Sequence, residues 1–472
     1  MISKLFKISI CALFILRILS PTMGQDNSDA LILTLEQAKN YAIENNKSLK
    51  NSKTDVEISD KQIWAAISQG LPQVEASIDY TDYFNYEAEF AFGGGGIPEE
   101  QLQLIDQLMA AGSLQDQTLW QISRATVAPS EPTAIKMDNS SSAKLQVSQL
   151  IFSGQYFSGI QIAKIAKELA NMNYENSELT IKESVISAYY LILVTEESLK
   201  IIDANLENLN KTMKQTETMV SAGVAEPLDL DQLLITVNML ENSRSQVRRS
   251  VELNYNLLRF LLGVSFDTDI TLTDNLETLI EEINFDLLLN SNLNYDDNIT
   301  YQMLSLQENM SEKMLNLEKW NYAPSIVGFY SYNEKILTTD FDMNPNHIAG
   351  ISMTIPIFSS GMRRANVQQK QLELLKVQTN KQILEEQLTM QEKQYRYDLI
   401  SAIEQYELQK QNVDVARRVY DKIDMKYNQG VSSSLDLTQA NSNLLDAENN
   451  YISSLMNLLQ AKLNYNKLLN NL

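Results

Sequence analysis

Residues 427–436 have the sequence Tyr-Asn-Gln-Gly-Val-Ser-Ser-Ser-Leu-Asp and interrupt a regular apolar pattern in the last third of the chain. A related stretch, Val-Ser-Ala-Gly-Val-Ala-Glu-Pro-Leu-Asp, occupies residues 220–229, which lie 207 positions earlier. In both, a glycine (Gly223 or Gly430) is followed by valine and, six positions on, by aspartate. Because glycine adopts positive φ without steric cost, each stretch predicts a turn between two helices.

Apolar residues recur every seven positions in the segments before these turns, as they do in coiled coils. Before the first turn, the two rows are Val185, Ile192, Leu199, Leu206, Met213 and Val220, and Ile181, Ala188, Thr195, Ile202, Leu209 and Thr216. Before the second, the matching residues are Tyr395, Leu399, Ala402, Tyr406, Val413, Ala416, Tyr420, Ile423 and Tyr427. The pattern predicts long helices that pair through a seam. The tyrosines are expected to pack in this seam rather than to contact a ligand. Tyr427 is the exception because it ends the seam.

Four shorter segments alternate between apolar and polar residues, which is the pattern of a β-strand with one apolar face. They span residues 73–81, 143–151, 325–333 and 349–357. A membrane strand has about ten alternating residues, but a half-buried strand of a soluble sheet has the same alternation. Between the first two strands, residues 88–142 have the composition of a loop insertion with a short helix from Glu99 to Ala111.

The two halves of the chain repeat one another, which is the strongest single pattern in the sequence. The segment Ile58–Ile63 matches Met310–Leu315 at an offset of 252, whereas Ile151-Phe152 matches Ile357-Phe358 at an offset of 206. Because the offset falls from 252 to 206 across the 88–142 segment, the first half contains an insertion that the second half lacks. Each half is predicted to run helix, strand, strand, long helix, turn, helix, and Thr34 with Gln37 is expected to cap the first helix.

These matches divide the chain into a first repeat at residues 25–262, an acidic connector at 263–296 and a second repeat at 297–472. Residues 1–24 have the features of a secretory signal peptide: two early lysines, an apolar run and small residues before the expected cleavage site. The protein is therefore expected to be exported.

Composition excludes several classes of function. The formal net charge is −22 over 472 residues, whereas binding to nucleic acid requires a basic patch. One histidine and one cysteine leave no Cys/His metal cluster, and Cys11 lies in the predicted signal peptide. His347 is expected at an interface beside a strand rather than as a metal ligand. An enzyme could still use carboxylates, but the residue supply excludes most ligand and nucleophile chemistry, and we expect no enzyme, no cofactor and no metal site.

The four predicted strands are too few to close a membrane barrel, since known barrels have at least about eight. An open sheet edge is not tolerated in lipid because its backbone groups would lack hydrogen-bond partners. If the strands lie in a membrane, several copies of the chain must share one barrel. The predicted fold class is mainly α with a membrane β-barrel portion and four strands per protomer.

The chain resembles the TolC-type outer-membrane efflux proteins over essentially its whole mature length. The resemblance depends on Leu-Pro-Gln at 71–73, Ile-Phe-Ser at 151–153 and 357–359, and the paired Gly-Val…Asp-Leu turns. It implies a homotrimer with a twelve-stranded β-barrel continued by a twelve-helix coiled-coil α-barrel. It also implies that the protein lies in the lipid of the outer membrane and extends into the periplasm. The implied partners are a periplasmic adaptor and an inner-membrane pump.

In that family the helical tips close the tube and dock the adaptor. By this resemblance the gate or pore candidates are Asp229, Asp231, Tyr427, Asp436 and Gln439, and the tip and docking candidates are Gly223, Val224, Gly430, Val431 and Ser432. Ser432 and Gln439 depart from the family pattern, which has an arginine and a carboxylate there. Asp231 could supply some of that charge. Asp229 and Asp436 also suit helix N-capping.

The leading hypothesis is a passive exit duct of a tripartite efflux system, gated at its periplasmic tips. One alternative is an outer-membrane duct for type I protein secretion on the same scaffold. Another is a soluble periplasmic coiled-coil adaptor or scaffold. An adaptor is expected to carry a lipoyl-like or small β-barrel module between its helices, and the sequence has no segment of that kind.

Overall fold

The structure, a computed structural model, describes residues 30–84, 86–90, 99–112, 133–137, 139–281, 293–337 and 345–472. The predicted signal peptide lies outside these residues. The helices are α1 (Leu35–Asn45), α2 (Lys47–Ser68), α3 (Glu99–Ala110), α4 (Gly154–Ser221), α5 (Pro227–Leu262), α6 (Leu276–Glu281), α7 (Ile299–Trp320), α8 (Met362–Asn428) and α9 (Ser434–Leu468). The strands are β1 (Leu31–Leu33), β2 (Gln73–Thr81), β3 (Tyr86–Phe90), β4 (Thr133–Met137), β5 (Ser140–Phe152), β6 (Ile270–Leu272), β7 (Ser325–Leu337) and β8 (His347–Thr354).

The chain divides into two compact units. One comprises residues 1–54, 172–302 and 382–472, and the other comprises residues 55–171 and 303–381. Each unit therefore draws on both halves of the sequence. Among the helices of the described residues, none is both long and apolar enough to cross a lipid bilayer.

The second unit contains a four-stranded antiparallel sheet in the order β2-β5-β7-β8. All four predicted strands are therefore confirmed. Strand β7 continues to Leu337, past the predicted end at Asn333, whereas β8 ends at Thr354, before the predicted end at Ile357. Pro356 explains the early end because proline has no backbone N–H to donate to a strand ladder.

The edge strands β2 and β8 are largely exposed in the single chain, whereas the central strands β5 and β7 are mostly half-buried. The apolar residues Val74, Ile78 and Ile351 on the edge strands are all exposed. His347 begins β8, where its Nδ1 lies 2.9 Å from the hydroxyl of Tyr330. The sheet thus presents apolar side chains that no described part of the same chain covers.

The 88–142 segment contains more regular structure than its composition predicted. Strand β3 pairs with β4 in an antiparallel ladder, and β5 already begins at Ser140. The predicted short helix is present as α3. The prediction of a loop over the whole segment was wrong at both ends, because cross-strand pairing extends the hairpin beyond the first predicted strand pair.

The core of the first unit is the predicted heptad seam. Residues of α4 that recur at heptad spacing are buried against α5 in a cluster of Ile202, Leu206, Leu209, Leu233, Val237 and Leu240. A larger cluster around Val185, Tyr189 and Ile192 also includes α1, α5, α9 and residues of the connector. Removing a buried leucine of this kind costs about 2–5 kcal/mol of stability. The seam is therefore the main source of order in these helices.

Arg244 and Asn254 are polar residues that interrupt the apolar pattern of α5, and both pair with α4. The Nε atom of Arg244 lies 2.6 Å from Oδ1 of Asp203. Asn254 donates from Nδ2 to Oγ1 of Thr195 over 3.1 Å. The interruptions therefore add directional contacts between the paired helices.

The connector packs on the N-terminal segment through a short parallel strand pair, β1 with β6, which the sequence did not predict. Thr34 then caps α1 with Gln37 in a capping box, as predicted. Asp274 accepts hydrogen bonds at Oδ2 from the backbone N of Leu35 (2.7 Å) and from the hydroxyl of Tyr189 (3.0 Å). One connector carboxylate thus links the first helix to the long helix α4.

Candidate functional site

Both glycine turns are present and have the same geometry. Gly223 and Gly430 have φ values of 75° and 70°. In the first turn the backbone N of Val224 donates to Met219 O over 2.9 Å, and in the second the N of Val431 donates to Lys426 O over 2.9 Å. With the Gly223 and Gly430 N–H bonds to the carbonyls three residues earlier, each turn is a Schellman motif.

The valine after each glycine is exposed rather than packed. A hydrophobic residue at this position of a Schellman motif frequently contacts the preceding helix. Here 71% of Val224 and 72% of Val431 is exposed, and Leu228 and Leu435 beside them are exposed as well. The two tips therefore present apolar side chains that the described chain leaves uncovered.

Asp229 and Asp436 are not the N-cap residues that the sequence predicted, although both take part in capping. Each aspartate is the third residue of its helix and accepts a hydrogen bond at Oδ2 from the backbone N of the true N-cap. The N-cap residues are Glu226 (3.1 Å) and Ser433 (3.0 Å). The helices begin earlier because Pro227 suits the first helical position and Ser433 forms a capping box with Asp436.

The surroundings of Asp436 favour its charged form. Ser433 donates from its hydroxyl to Oδ2 over 2.8 Å, and Ser432 donates from its hydroxyl over 3.1 Å. The side-chain bond from Ser433, the backbone bond from the same residue and the Ser432 hydroxyl together lower the pKa of Asp436 below its usual value. Ser432 thus stabilises charge within its own turn.

A hydrogen bond joins the two tips directly. The Oγ atom of Ser434, the first residue of α9, donates to Oδ1 of Asp229, the third residue of α5. The same carboxylate therefore receives one bond from its own turn and one from the other turn. Ser434 is buried and Asp229 is half-buried.

A second hydrogen bond joins the ends of the two long helices. The hydroxyl of Tyr427 on α8 lies 2.7 Å from Oγ1 of Thr216 on α4. Thr216 gives its single hydroxyl proton to Thr212 O over 3.0 Å, so Tyr427 is the donor. Only 4% of Tyr427 and none of Thr216 is exposed. The gate tyrosine of the resemblance is thus anchored to the opposite hairpin in a buried contact.

The other two gate candidates, Asp231 and Gln439, take part in neither of these contacts between the hairpins. Asp231 is exposed on the first turns of α5. Gln439 is exposed and donates along its own helix to Asn443 Oδ1 over 3.0 Å. The residues that do pair with the predicted ones, Thr216 and Ser434, were not among the sequence candidates.

A further polar contact that the sequence did not predict joins three helices. Glu448 on α9 is 3% exposed; its Oε2 accepts from Asn205 Nδ2 on α4 (2.8 Å), and its Oε1 lies 2.9 Å from Nη2 of Arg417 on α8. Ser434, Asn441 and Glu448 are seven residues apart and all are buried. Three polar residues at one heptad position are the sequence signal that could have identified this row.

The described ranges contain no group of three or more His, Cys, Asp or Glu side chains placed to hold a metal ion. The candidate site consists of the hydrogen bonds between the two hairpins, the exposed apolar side chains of the tips and the carboxylates beside them. Its groups can hold two hairpins together and release them, since every inter-tip contact is non-covalent.

A family model described as "Outer membrane efflux protein" matches the chain at residues 39–264 and 305–471. A curated relative, the outer membrane protein TolC of Salmonella enteritidis, is 23% identical over 342 residues, covering 69% of this chain and 68% of the relative. The family match covers most of the chain and excludes the alternative of a soluble periplasmic adaptor.

Solved structures with the same fold include the outer membrane protein VceC of Vibrio cholerae. It has a TM-score of 0.66 and 14% identity, with coverage of 92% of this chain and 95% of VceC. The MtrE outer membrane channel of Neisseria gonorrhoeae, solved in its open state, has a TM-score of 0.66 and 17% identity, with coverage of 92% and 88%. The protein is therefore a member of the outer membrane efflux protein family, an outer-membrane channel protein that extends into the periplasm.

Proposed function

We propose that the protein is the passive exit duct of a tripartite efflux system and that its gate lies at the two glycine turns. The observation that carries this proposal is the pair of hydrogen bonds, Tyr427 to Thr216 and Ser434 to Asp229, that ties the α8–α9 hairpin to the α4–α5 hairpin. A duct opens at this place only if the two hairpins separate. Both bonds must then break.

The strength of these bonds suits a reversible gate. A neutral hydrogen bond such as Tyr427 to Thr216 contributes about 0.5–1.5 kcal/mol, and one to a charged group such as Asp229 contributes about 1.5–3 kcal/mol. The second value is an upper bound here because Asp229 is partly exposed. The sum is a few kcal/mol per protomer, which the binding of a partner protein can offset.

Three copies of the chain form the complete duct in this proposal. Strands β2 and β8 are the edges of the four-stranded sheet, and pairing these edges between three protomers gives twelve strands without an open edge. The helices α4, α5, α8 and α9 of three protomers give the twelve-helix tube that the family resemblance implies. The repeats at 25–262 and 297–472, joined by 263–296, each supply two strands and two long helices.

The exposed apolar tips are the proposed docking points of a periplasmic adaptor, which links the duct to an inner-membrane pump. Val224 and Leu228 on one tip and Val431 and Leu435 on the other provide apolar surface that association would bury. An adaptor that binds these side chains more strongly when the hairpins are apart shifts the gate toward the open state.

The gate is tested by recording the conductance of purified trimer in a planar lipid bilayer. Tyr427→Phe removes the donor hydroxyl and leaves Thr216 buried without that partner. If the bond contributes about 1.4 kcal/mol to the closed state, the open-to-closed ratio rises about tenfold.

Tyr420→Phe is the matched control. Tyr420 lies one heptad earlier on α8 and packs in the same apolar cluster as Tyr427. We expect Tyr420→Phe to conduct like the wild type. Equal conductance of Tyr427→Phe and Tyr420→Phe would show that the Tyr427 hydroxyl does not hold the gate.

A further inference from the structure

A cavity of about 490 Å³ lies between α4, α5 and α9 in the first unit. Its volume is within the range of about 300–1,000 Å³ that is typical of small-molecule sites. The lining includes apolar side chains from each of the three helices, among them Ile202, Leu240, Val247 and Leu445. Polar residues from the same three helices lie beside this apolar surface, so the cavity offers hydrogen-bonding groups as well as apolar contacts.

Asn441 lines this cavity and has no hydrogen-bond partner in the described part of the chain. Its side chain is 1% exposed, and neither Nδ2 nor Oδ1 has a partner there. The hydroxyl of Thr438, one turn earlier and also in the lining, has none either. Leaving a buried polar group unsatisfied costs about 1–3 kcal/mol, so a partner from outside these residues would stabilise the site.

The neighbours of Asn441 in the same heptad row show that the row is built for contacts between helices. Ser434, seven residues earlier, donates to Asp229 on α5. Glu448, seven residues later, accepts from Asn205 on α4. Asn441 faces the same pair of helices but meets the cavity instead of a side chain.

We propose that this cavity binds a small uncharged molecule that has a primary amide or lactam group on an apolar body. A carboxamide offers one donor and one acceptor side by side, which complements Nδ2 and Oδ1 of Asn441. The apolar residues of the three helices then enclose the rest of the molecule. Asp446 and Glu448 also line the cavity, and their charge disfavours an anion.

Such a ligand contacts α9 together with α4 and α5, so it holds together helices that the proposed gate separates. This consequence depends on the proposed function, whereas the binding does not. Loss of binding would leave the duct and its gate untouched. If a ligand binds and does not change the conductance, the binding site stands. Only the expected effect of the ligand on the gate is then refuted.

Benzamide is the probe for the site because it combines an amide with an apolar ring. Saturation-transfer NMR on the full trimer in detergent should show benzamide binding, with binding of benzoate at least about tenfold weaker because of its charge. Asn441→Leu removes two buried polar atoms that lack partners in the described chain, a replacement that can be neutral or stabilising. We expect it to retain the melting temperature and to weaken benzamide binding by about tenfold or more.

Asn450→Leu is the matched control, since Asn450 lies on the exposed face of the same helix and does not line the cavity. It should bind benzamide like the wild type. The proposal would be overturned by an absence of benzamide binding, by equal binding to wild type and Asn441→Leu, or by a crystal structure grown with benzamide in which only water contacts Asn441.

Discussion

Ser434 donates a hydrogen bond to Asp229, although 205 residues separate them in the chain. Each residue lies in the first turn of the helix that follows a glycine turn, Ser434 at its first position and Asp229 at its third, so this bond joins the corresponding turns of the two sequence repeats. Asp229 also completes the start of its own helix through Glu226. One carboxylate therefore serves local structure and the contact between tips at once.

Removing the Ser434 hydroxyl should weaken the contact between the tips. Ser434→Ala retains the small size of the residue and leaves Asp229 with its local bond, so the protein should fold and the closed state should lose about 1 kcal/mol. Bilayer recordings should show more frequent opening than in the wild type. Ser453→Ala is the control because that serine donates to Asn449 O within its own helix; an equal effect of the two substitutions would contradict the assigned role.

Alanine at the second turn should destabilise the protein through backbone conformation alone. Gly430 has positive φ, but among the described residues no heavy atom beyond its two chain neighbours lies within 4 Å of an added Cβ, so Gly430→Ala introduces strain without a clash. The expected loss is about 1 kcal/mol, measured as a lower melting temperature.

Gly159→Ala is the control for that substitution, since Gly159 lies in α4 with equally open space and no positive φ. Alanine there should be neutral or stabilising by up to about 1 kcal/mol. A melting temperature lowered equally by both substitutions would show that the turn conformation is not the cause.

The hydrogen bonds to Asp436 predict a pH dependence of stability. Its pKa is lower in the folded protein than in the unfolded chain, so its contribution is fully present above the unfolded pKa. The contribution is lost as the pH falls through the folded pKa. The melting temperature of Asp436→Asn should therefore lie below that of the wild type near neutral pH, and the difference should shrink as the pH falls below about 4, the pKa of an aspartate in the unfolded chain.

Asp231→Asn is the control for charge, because Asp231 is exposed on the first turns of the other tip helix. It should show a smaller difference from the wild type across the same range. A constant difference between wild type and Asp436→Asn down to about pH 3 would mean that the hydrogen bonds do not favour the carboxylate.

The long helices, the two turns and the four main strands could be predicted because each is encoded by a local period or by glycine. Strand β1 could not, since its three residues pair with Ile270–Leu272 across the whole first repeat. The helix starts were misplaced because an aspartate is equally suitable at the N-cap and at the third position, and only the backbone distinguishes them.

The positions of the two glycine turns were predicted, but the contacts between them were not. The turns and Tyr427 follow from the duplicated pattern, whereas Thr216 and Ser434 are ordinary residues of a helix when the sequence is considered alone. Their role depends on which faces of two hairpins meet. The same holds for Asn441 and Glu448, polar residues one heptad apart on α9, whose contacts depend on the helices beside them.

The most direct test of the central claim is a reversible covalent link between the tips. Asp229→Cys with Ser434→Cys replaces the inter-tip hydrogen bond by two thiols, and the only native cysteine, Cys11, lies in the predicted signal peptide. Each single-cysteine variant serves as a control for oxidation. Conductance of the trimer in a bilayer is recorded after oxidation and again after reduction.

If the tips are the gate, the oxidised double variant remains closed, reduction restores opening, and the single variants respond to neither treatment. A double variant that is shown by mass spectrometry to be cross-linked and that still opens like the reduced protein would contradict the account.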